Sequence, residues 1–178
     1  MRSAGLAEKI GTPVVVVHPP PLGRPLARWV EGPLKKARTH NVSVAVENMP
    51  RHQAKHVFSI RRRSCFRPEH LFGLGDVTLD TSHVAASSLD LMEVYGKLAG
   101  RLRHVHLSDS DLTGGDQHRL PGKGKLPLKE LLAALERDDY PGAVSLELKP
   151  WPLGTPGPEM IQRRMREALL FTREGLEG

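Results

Sequence analysis

The chain has 178 residues, 39% hydrophobic and 26% charged, a length and balance that bury a real core and exclude a disordered or fibrous protein. Its net charge of +6 fits an arginine-rich surface. The densest basic run, Arg61-Arg-Arg with Arg67 and a single close aromatic, Phe66, is a weak signal for nucleic acid. Cys65 is the only cysteine, which excludes an internal disulfide and fits a reducing compartment. With no apolar leader and no run of membrane-spanning length, the expectation is a single cytoplasmic domain.

Taken in chain order, residues 2–10 read as a helix end stopped by Gly11, and Val14 to Val17 as a buried strand. Residues 24–40 place Leu26, Trp29, Val30, Leu34 and Ala37 at helical spacing, and Val42 to Val46 is a strand. Residues 51–74 read as irregular, with a short helix around Pro68 to Phe72. Val77 to Leu79 is a strand, Leu89 to Leu98 a helix closed by Gly100, and Leu102 to Leu107 a strand. A polar loop runs from Ser108 to Lys125, then a helix from Leu128 to Leu135, and Tyr140-Pro-Gly turns into a strand from Val144 to Leu148. Residues 158–174 form a last amphipathic helix. Strands alternating with helices predict βαβ units and a parallel sheet.

Side-chain parity decides between parallel architectures. Val42, Val44 and Val46 oppose Ser43, Ala45 and Glu47; Val105 and Leu107 oppose His104, His106 and Ser108; Leu146 and Leu148 oppose Ser145, Glu147 and Lys149. One apolar and one small or polar face suit a barrel wall, whereas an open doubly wound sheet is apolar on both faces. The predicted fold is therefore an α/β, (β/α) TIM-type barrel. Five or six strands fall short of eight, so the expectation is a barrel lacking its first two βα units. The rival is a smaller barrel-derived fold whose open edges would be covered by a helix or by a partner chain in a homo-oligomer.

Five strand-like runs close on metal-ligand chemistry: His18, Glu47, Asp80, His106 and Glu147. Barrel enzymes gather catalytic groups at the carboxyl ends of several strands. The oxygen and imidazole set of Glu47, Asp80, His106 and Glu147 suits one divalent ion such as Mn²⁺, Co²⁺, Mg²⁺ or Zn²⁺. In Asp80-Thr-Ser-His83 both polar groups face the barrel mouth, or Asp80 caps the following helix. Asp116-Gln-His118 repeats the two ligand types in a loop that is either solvated or part of the site. Pro121-Gly-Lys-Gly-Lys lacks the spacing of a phosphate loop and reads as a glycine-rich connection. Lys149, on the face of Glu147, is a candidate to neutralise an anionic substrate.

His18-Pro, Val46-Glu-Asn-Met49, Leu79-Asp-Thr-Ser-His83, His104-Val-His-Leu-Ser-Asp109, Asp116-Gln-His-Arg-Leu-Pro-Gly-Lys-Gly124 and Leu146-Glu147, in that order, resemble the xylose isomerase-like TIM barrels. Within them the resemblance is to the sugar phosphate isomerase/epimerase group, over essentially the whole chain. It implies a metal held by Glu47, Asp80, His106 and Glu147, and proton transfer beside a carbonyl through an enediolate. Glu47 and Glu147 are then the acid/base pair, and His18, His83, Asp116 and His118 hold substrate hydroxyls or a second metal. The implied partner is a small sugar or sugar phosphate. Two alternatives stay open. Zinc-dependent apurinic endonucleases of the same superfamily use equivalents of eight residues present here, but Pro20 and Met49-Pro-Arg depart from their pattern. A non-catalytic, incomplete relative that binds a ligand or partner is the other.

Overall fold

A computed structural model describes residues 2–38, 41–51, 64–150 and 157–177. The Arg61-Arg-Arg cluster lies outside the described residues. Helix α1 (Arg2–Ile10) precedes strand β1 (Val14–Val17), and α2 (Arg24–Trp29) runs through a π-helical turn (Val30–Leu34) into α3 (Lys35–Ala37). Strand β2 (Ser43–Glu47), a 3₁₀ turn (Pro68–Leu71) and β3 (Val77–Asp80) follow. Then come α4 (Thr81–Ala86), α5 (Leu91–Leu98), β4 (Leu102–Leu107), α6 (Leu128–Arg137), β5 (Ala143–Leu146) and α7 (Pro158–Leu176). The strands pair in sequence order, β1-β2-β3-β4-β5, all parallel. The sheet is thus an open arc of a barrel wall, with helices outside.

Local chemistry explains most boundaries. Four consecutive valines favour the extended chain of β1. Gly11, at φ 73°, ends α1 in the left-handed conformation that a residue with a Cβ disfavours. Asp80 caps α4 by accepting from the His83 N–H (2.8 Å), and Asp90 caps α5 by accepting from the Glu93 N–H (2.8 Å). Pro33 lies inside the π turn, where its missing N–H and its ring forbid regular α-helical bonding. The helix expected over residues 24–40 accordingly divides and stops at Ala37. Among the described residues, no helix is long and apolar enough to cross a membrane.

Register fixes which side chains look inward. Val17 pairs with Val46, Glu47 with Thr78, Asp80 with His106, and His106 with Ser145. Paired residues of a parallel sheet share a face, so Glu47, Thr78, Asp80, His104, His106 and Ser145 line the inner wall. Val77 pairs with Leu102 and Thr78 with His104. The unmatched Arg103 is a bulge that keeps Leu102 on the helix side and turns His104 inward. On the outer side Val44, Val46, Val77, Leu79, Leu102, Val105 and Leu107 pack against Leu91, Leu98, Leu131, Leu132 and Leu135 of the helices. The polar inner face expected from sequence parity is the one the fold presents.

Candidate metal centre

Glu47 ends β2 and Asp80 ends β3, while His106 is the penultimate residue of β4 and Glu147 follows β5. One ligand atom from each falls within 4.8 Å of all the others, a spacing that a single cation with metal–ligand bonds of about 2.0–2.6 Å can span. His106 Nδ1 is the hub. It lies 3.1 Å from Glu47 Oε1, 2.6 Å from Glu147 Oε2 and 3.8 Å from Asp80 Oδ2. Only the Glu47 contact has hydrogen-bond direction; Glu147 Oε2 approaches as an ion pair.

The charges in this cluster are under-compensated. Glu47 is 1% exposed and Asp80 fully buried. Glu47 Oε2, Asp80 Oδ2 and Glu147 Oε2 are buried without a hydrogen-bond donor of normal geometry, although His18 Nε2 stands 2.8 Å from Glu47 Oε2. The protonation pattern follows. Burial, reinforced by Glu47 and Glu147, holds Asp80 well above the usual carboxylate range, against the opposing pull of His118 and the His83 amide. Burial pulls the His106 imidazole down, but contacts with Glu147 and Glu47 outweigh it and raise it to about 10. The His106 contact in turn lowers Glu147 to about 2. Without a cation, protons offset the carboxylate charge. A divalent ion is the natural substitute, so this donor set fits one.

A second group adjoins the first through Asp80. Asp80, His83 and His118 also offer ligand atoms within 4.8 Å of one another. His118 Nε2 lies 2.8 Å from Asp116 Oδ1, and its Nδ1 faces the Glu147 carbonyl at 3.2 Å. Both ring nitrogens therefore meet acceptors. Burial opposes the charged form, but Asp116 and Asp80 prevail and raise the His118 imidazole above its ordinary value. Lys149 Nζ is 3.1 Å from Asp116 Oδ2 and also donates to the Asp116 carbonyl.

All nine residues singled out from the sequence thus join one connected network. Glu47, Asp80, His106 and Glu147 form one group, His83 and His118 the second, His18 touches Glu47, and Asp116 links His118 to Lys149. The Asp116-Gln-His118 segment is not a solvated loop: His118 is 5% exposed, at φ 47°, with the Gln117 and His118 amides both donating to Ser82 Oγ at 3.0 Å. Asp80 both caps α4 and faces the cluster, so its two sequence readings hold together.

Other residues of this framework carried no signal of their own. Ser82 orients the Asp116–His118 segment. The Thr81 hydroxyl donates to the Ser108 carbonyl at 2.6 Å and accepts from its N–H at 3.0 Å. Asp109 accepts from four backbone amides, those of Ser110, Gly122, Gly124 and Leu126. The Gly122 and Gly124 amides that would cradle a phosphate in a phosphate loop are taken by this internal carboxylate, so the segment is a connection.

The family model for the xylose isomerase-like TIM barrel matches residues 1–171. An uncharacterised protein of Mycobacterium tuberculosis is 34% identical over 171 aligned positions, covering 83% of this chain and 60% of that one. Fructoselysine 3-epimerase of Escherichia coli O157:H7 is 34% identical over 87 positions, covering 49% of this chain and 27% of that protein. Among solved structures, a D-tagatose 3-epimerase-like protein superposes with a TM-score of 0.71 at 21% identity, over 97% of this chain and 67% of that one. The D-psicose 3-epimerase of Clostridium cellulolyticum H10 gives 0.69 at 17% identity, over 97% and 68%. The chain spans 60% of the length of the mycobacterial relatives it matches. Strand order, inner-face chemistry and these matches together place the chain in the xylose isomerase-like TIM barrel family.

Proposed function

We propose that this protein is a divalent-metal-dependent isomerase or epimerase of a sugar or sugar phosphate. The observation that carries the reading is the convergence of three carboxylates and one imidazole, from four strand ends, within 4.8 Å. The relatives named as epimerases of fructoselysine and D-psicose support a ketose-like substrate. Glu47, Asp80, His106 and Glu147 would hold the ion, which supplies polarisation of the sugar's carbonyl and hydroxyl oxygens and so lowers the cost of an enediolate.

The chain's own residues do the rest. Glu47, at the end of β2, and Glu147, just after β5, both approach His106 Nδ1. One takes the proton from the carbon beside the carbonyl, and the other returns a proton. The two carboxylates differ in environment, with side-chain exposures of 1% for Glu47 and 45% for Glu147, so the two halves of the transfer meet different solvent access. His18, His83 and His118 would hold substrate hydroxyls, with Asp116 in contact with both His118 and Lys149.

The group of Asp80, His83 and His118 favours a second reading, a site for more than one cation as in zinc-dependent apurinic endonucleases. Metal content of protein purified without chelator, followed by assays on ketoses and on abasic DNA, tests the pair. One Mn, Co or Mg with ketose epimerisation supports the first reading. Two or three zinc ions with strand cleavage support the second. No metal uptake on titration sinks both and leaves a non-catalytic relative.

A further inference from the structure

Strand β2 runs out of backbone one residue too early to hold Asp80. The ladder between β2 and β3 pairs Val46 with Val77 and Glu47 with Thr78, and the Asn48 amide still reaches the Thr78 carbonyl at 3.3 Å. Beyond that point the main chain turns away, the Met49 amide donating instead to Cys65. The Asp80 N–H would be left without a partner on that side, in a residue with no solvent exposure, and the carbonyl of Asp80, the residue that caps α4, would lose its contact towards β2. The Asn48 side chain fills the gap. The Asp80 N–H donates to Asn48 Oδ1 at 2.7 Å, and Asn48 Nδ2 donates to the Asp80 carbonyl at 3.1 Å. A carboxamide is chemically a peptide unit, with one donor and one acceptor side by side. Here it serves as an extra rung of the sheet.

The main chain of Asn48 has a second task. Its carbonyl lies 2.8 Å from His83 Nδ1. A carbonyl only accepts, so Nδ1 carries a proton, which in the neutral ring leaves the lone pair on Nε2. That nitrogen is the one facing Asp116 Oδ1, 3.8 Å away. Asn48 is 1% exposed. Its side chain thus locks the residue whose carbonyl sets the His83 tautomer to the residue whose carboxylate belongs to both ligand groups.

We propose that Asn48 is a positioning residue of the centre: its carboxamide fixes Asp80 at the end of β3 and thereby also the carbonyl that selects the His83 tautomer. Neither aspartate, which lacks the donor, nor alanine, which lacks both groups, reproduces the rung. The metal arm of this inference rests on the reading of the cluster as a cation site, whereas the tautomer arm does not.

The test compares wild type, Asn48→Ala and Ser43→Ala. Ser43 is a control because its hydroxyl also ties β2 to the start of β3, through Asp76 Oδ2 at 2.7 Å, but at the opposite end of the strands. Two readouts are taken well below each protein's Tm. Long-range ¹⁵N–¹H NMR of the metal-free proteins reports the His83 tautomer, with the signal assigned by its loss in His83→Gln. Titration with Mn²⁺ reports affinity. Asn48→Ala is expected to replace the single Nδ1–H form by a mixture and to weaken Mn²⁺ by roughly 10–100-fold, the range for groups that orient a ligand. Ser43→Ala is expected to change neither. An Asn48→Ala protein with the wild-type tautomer and wild-type affinity overturns the proposal, as does equal disturbance by Ser43→Ala. Wild type that takes up no Mn²⁺ while Asn48→Ala still scrambles the tautomer overturns the Mn²⁺ arm and upholds the positioning role. If Asn48→Ala does not fold, Asn48→Ser, which leaves a hydroxyl and room for water, carries the same two readouts.

Discussion

His106 Nδ1 lies 2.6 Å from Glu147 Oε2, joining the end of β4 to the residue that follows β5. With Glu47 Oε1 at 3.1 Å from the same nitrogen, two carboxylates converge on one imidazole nitrogen. This is where a cation would compete.

The competition gives the centre a pH dependence with a definite sign. In the metal-free protein the His106 imidazole is raised to about 10. Its proton therefore stabilises the fold fully below the ordinary imidazole value, and the contribution fades as pH climbs towards 10. Metal binding needs the deprotonated nitrogen, so apparent affinity is expected to rise with pH by about tenfold per unit for each proton displaced. Calorimetry in two buffers of different ionisation enthalpy should record about one or more protons released per Mn²⁺ at neutral pH. No release would remove His106 from the ligand set.

Glu147→Gln keeps the size of the side chain and removes its capacity to accept or return a proton. Turnover of an identified ketose is expected to fall by about 10²–10⁴-fold, with the far-ultraviolet circular dichroism spectrum unchanged. Near wild-type turnover would refute the acid/base assignment.

His106→Ala removes the hub itself. Loss of a direct ligand is expected to exceed the roughly 10–100-fold loss typical of groups that only orient ligands. Equilibrium dialysis against Mn²⁺ checks it, and retention at the wild-type level would sink the four-residue set.

Gly124→Ala tests the Asp109 cradle. A Cβ at position 124 would meet Asp109 Oδ1 and come within 2.5 Å of the Ser110 carbonyl. Backbone cannot yield cheaply there, so the variant is expected to lose about 1–3 kcal/mol of stability. Thermal denaturation reads the loss. The same variant should disturb His118, because the Asp109–Arg119 bridge anchors that loop.

Much of this centre is legible in one sequence. Strand period 2 with a single apolar face is a local pattern, and Glu47, Asp80, His106 and Glu147 sit at or near the ends of such runs, while His18 follows the all-valine run of β1. Boundaries shifted by only a residue or two. The β2 expectation of Val42 to Val46 became Ser43–Glu47, and the final β strand began at Ala143 rather than Val144. The helix over residues 24–40 was less regular than its apolar spacing implied, because spacing records burial while Pro33 acts on backbone hydrogen bonding.

Asn48 and Asp109 show what a linear pattern conceals. Asn48 is an ordinary polar residue after a strand until β3 brings the amide and carbonyl of Asp80 within its reach, 32 residues away in sequence. Asp109 looks like one more loop aspartate until Gly122, Gly124 and Leu126 fold back on it. The alternation of strands and helices, the polar inner wall and the carboxylate and imidazole types at the strand ends follow from local period and side-chain chemistry. Tertiary packing sets which carboxylates converge on His106 Nδ1, which nitrogen of His83 meets the Asn48 carbonyl and which amides a buried carboxylate claims. Those outcomes depend on ångström-scale distances between residues far apart in the chain, and hydrogen bonding and charge respond to such distances directly.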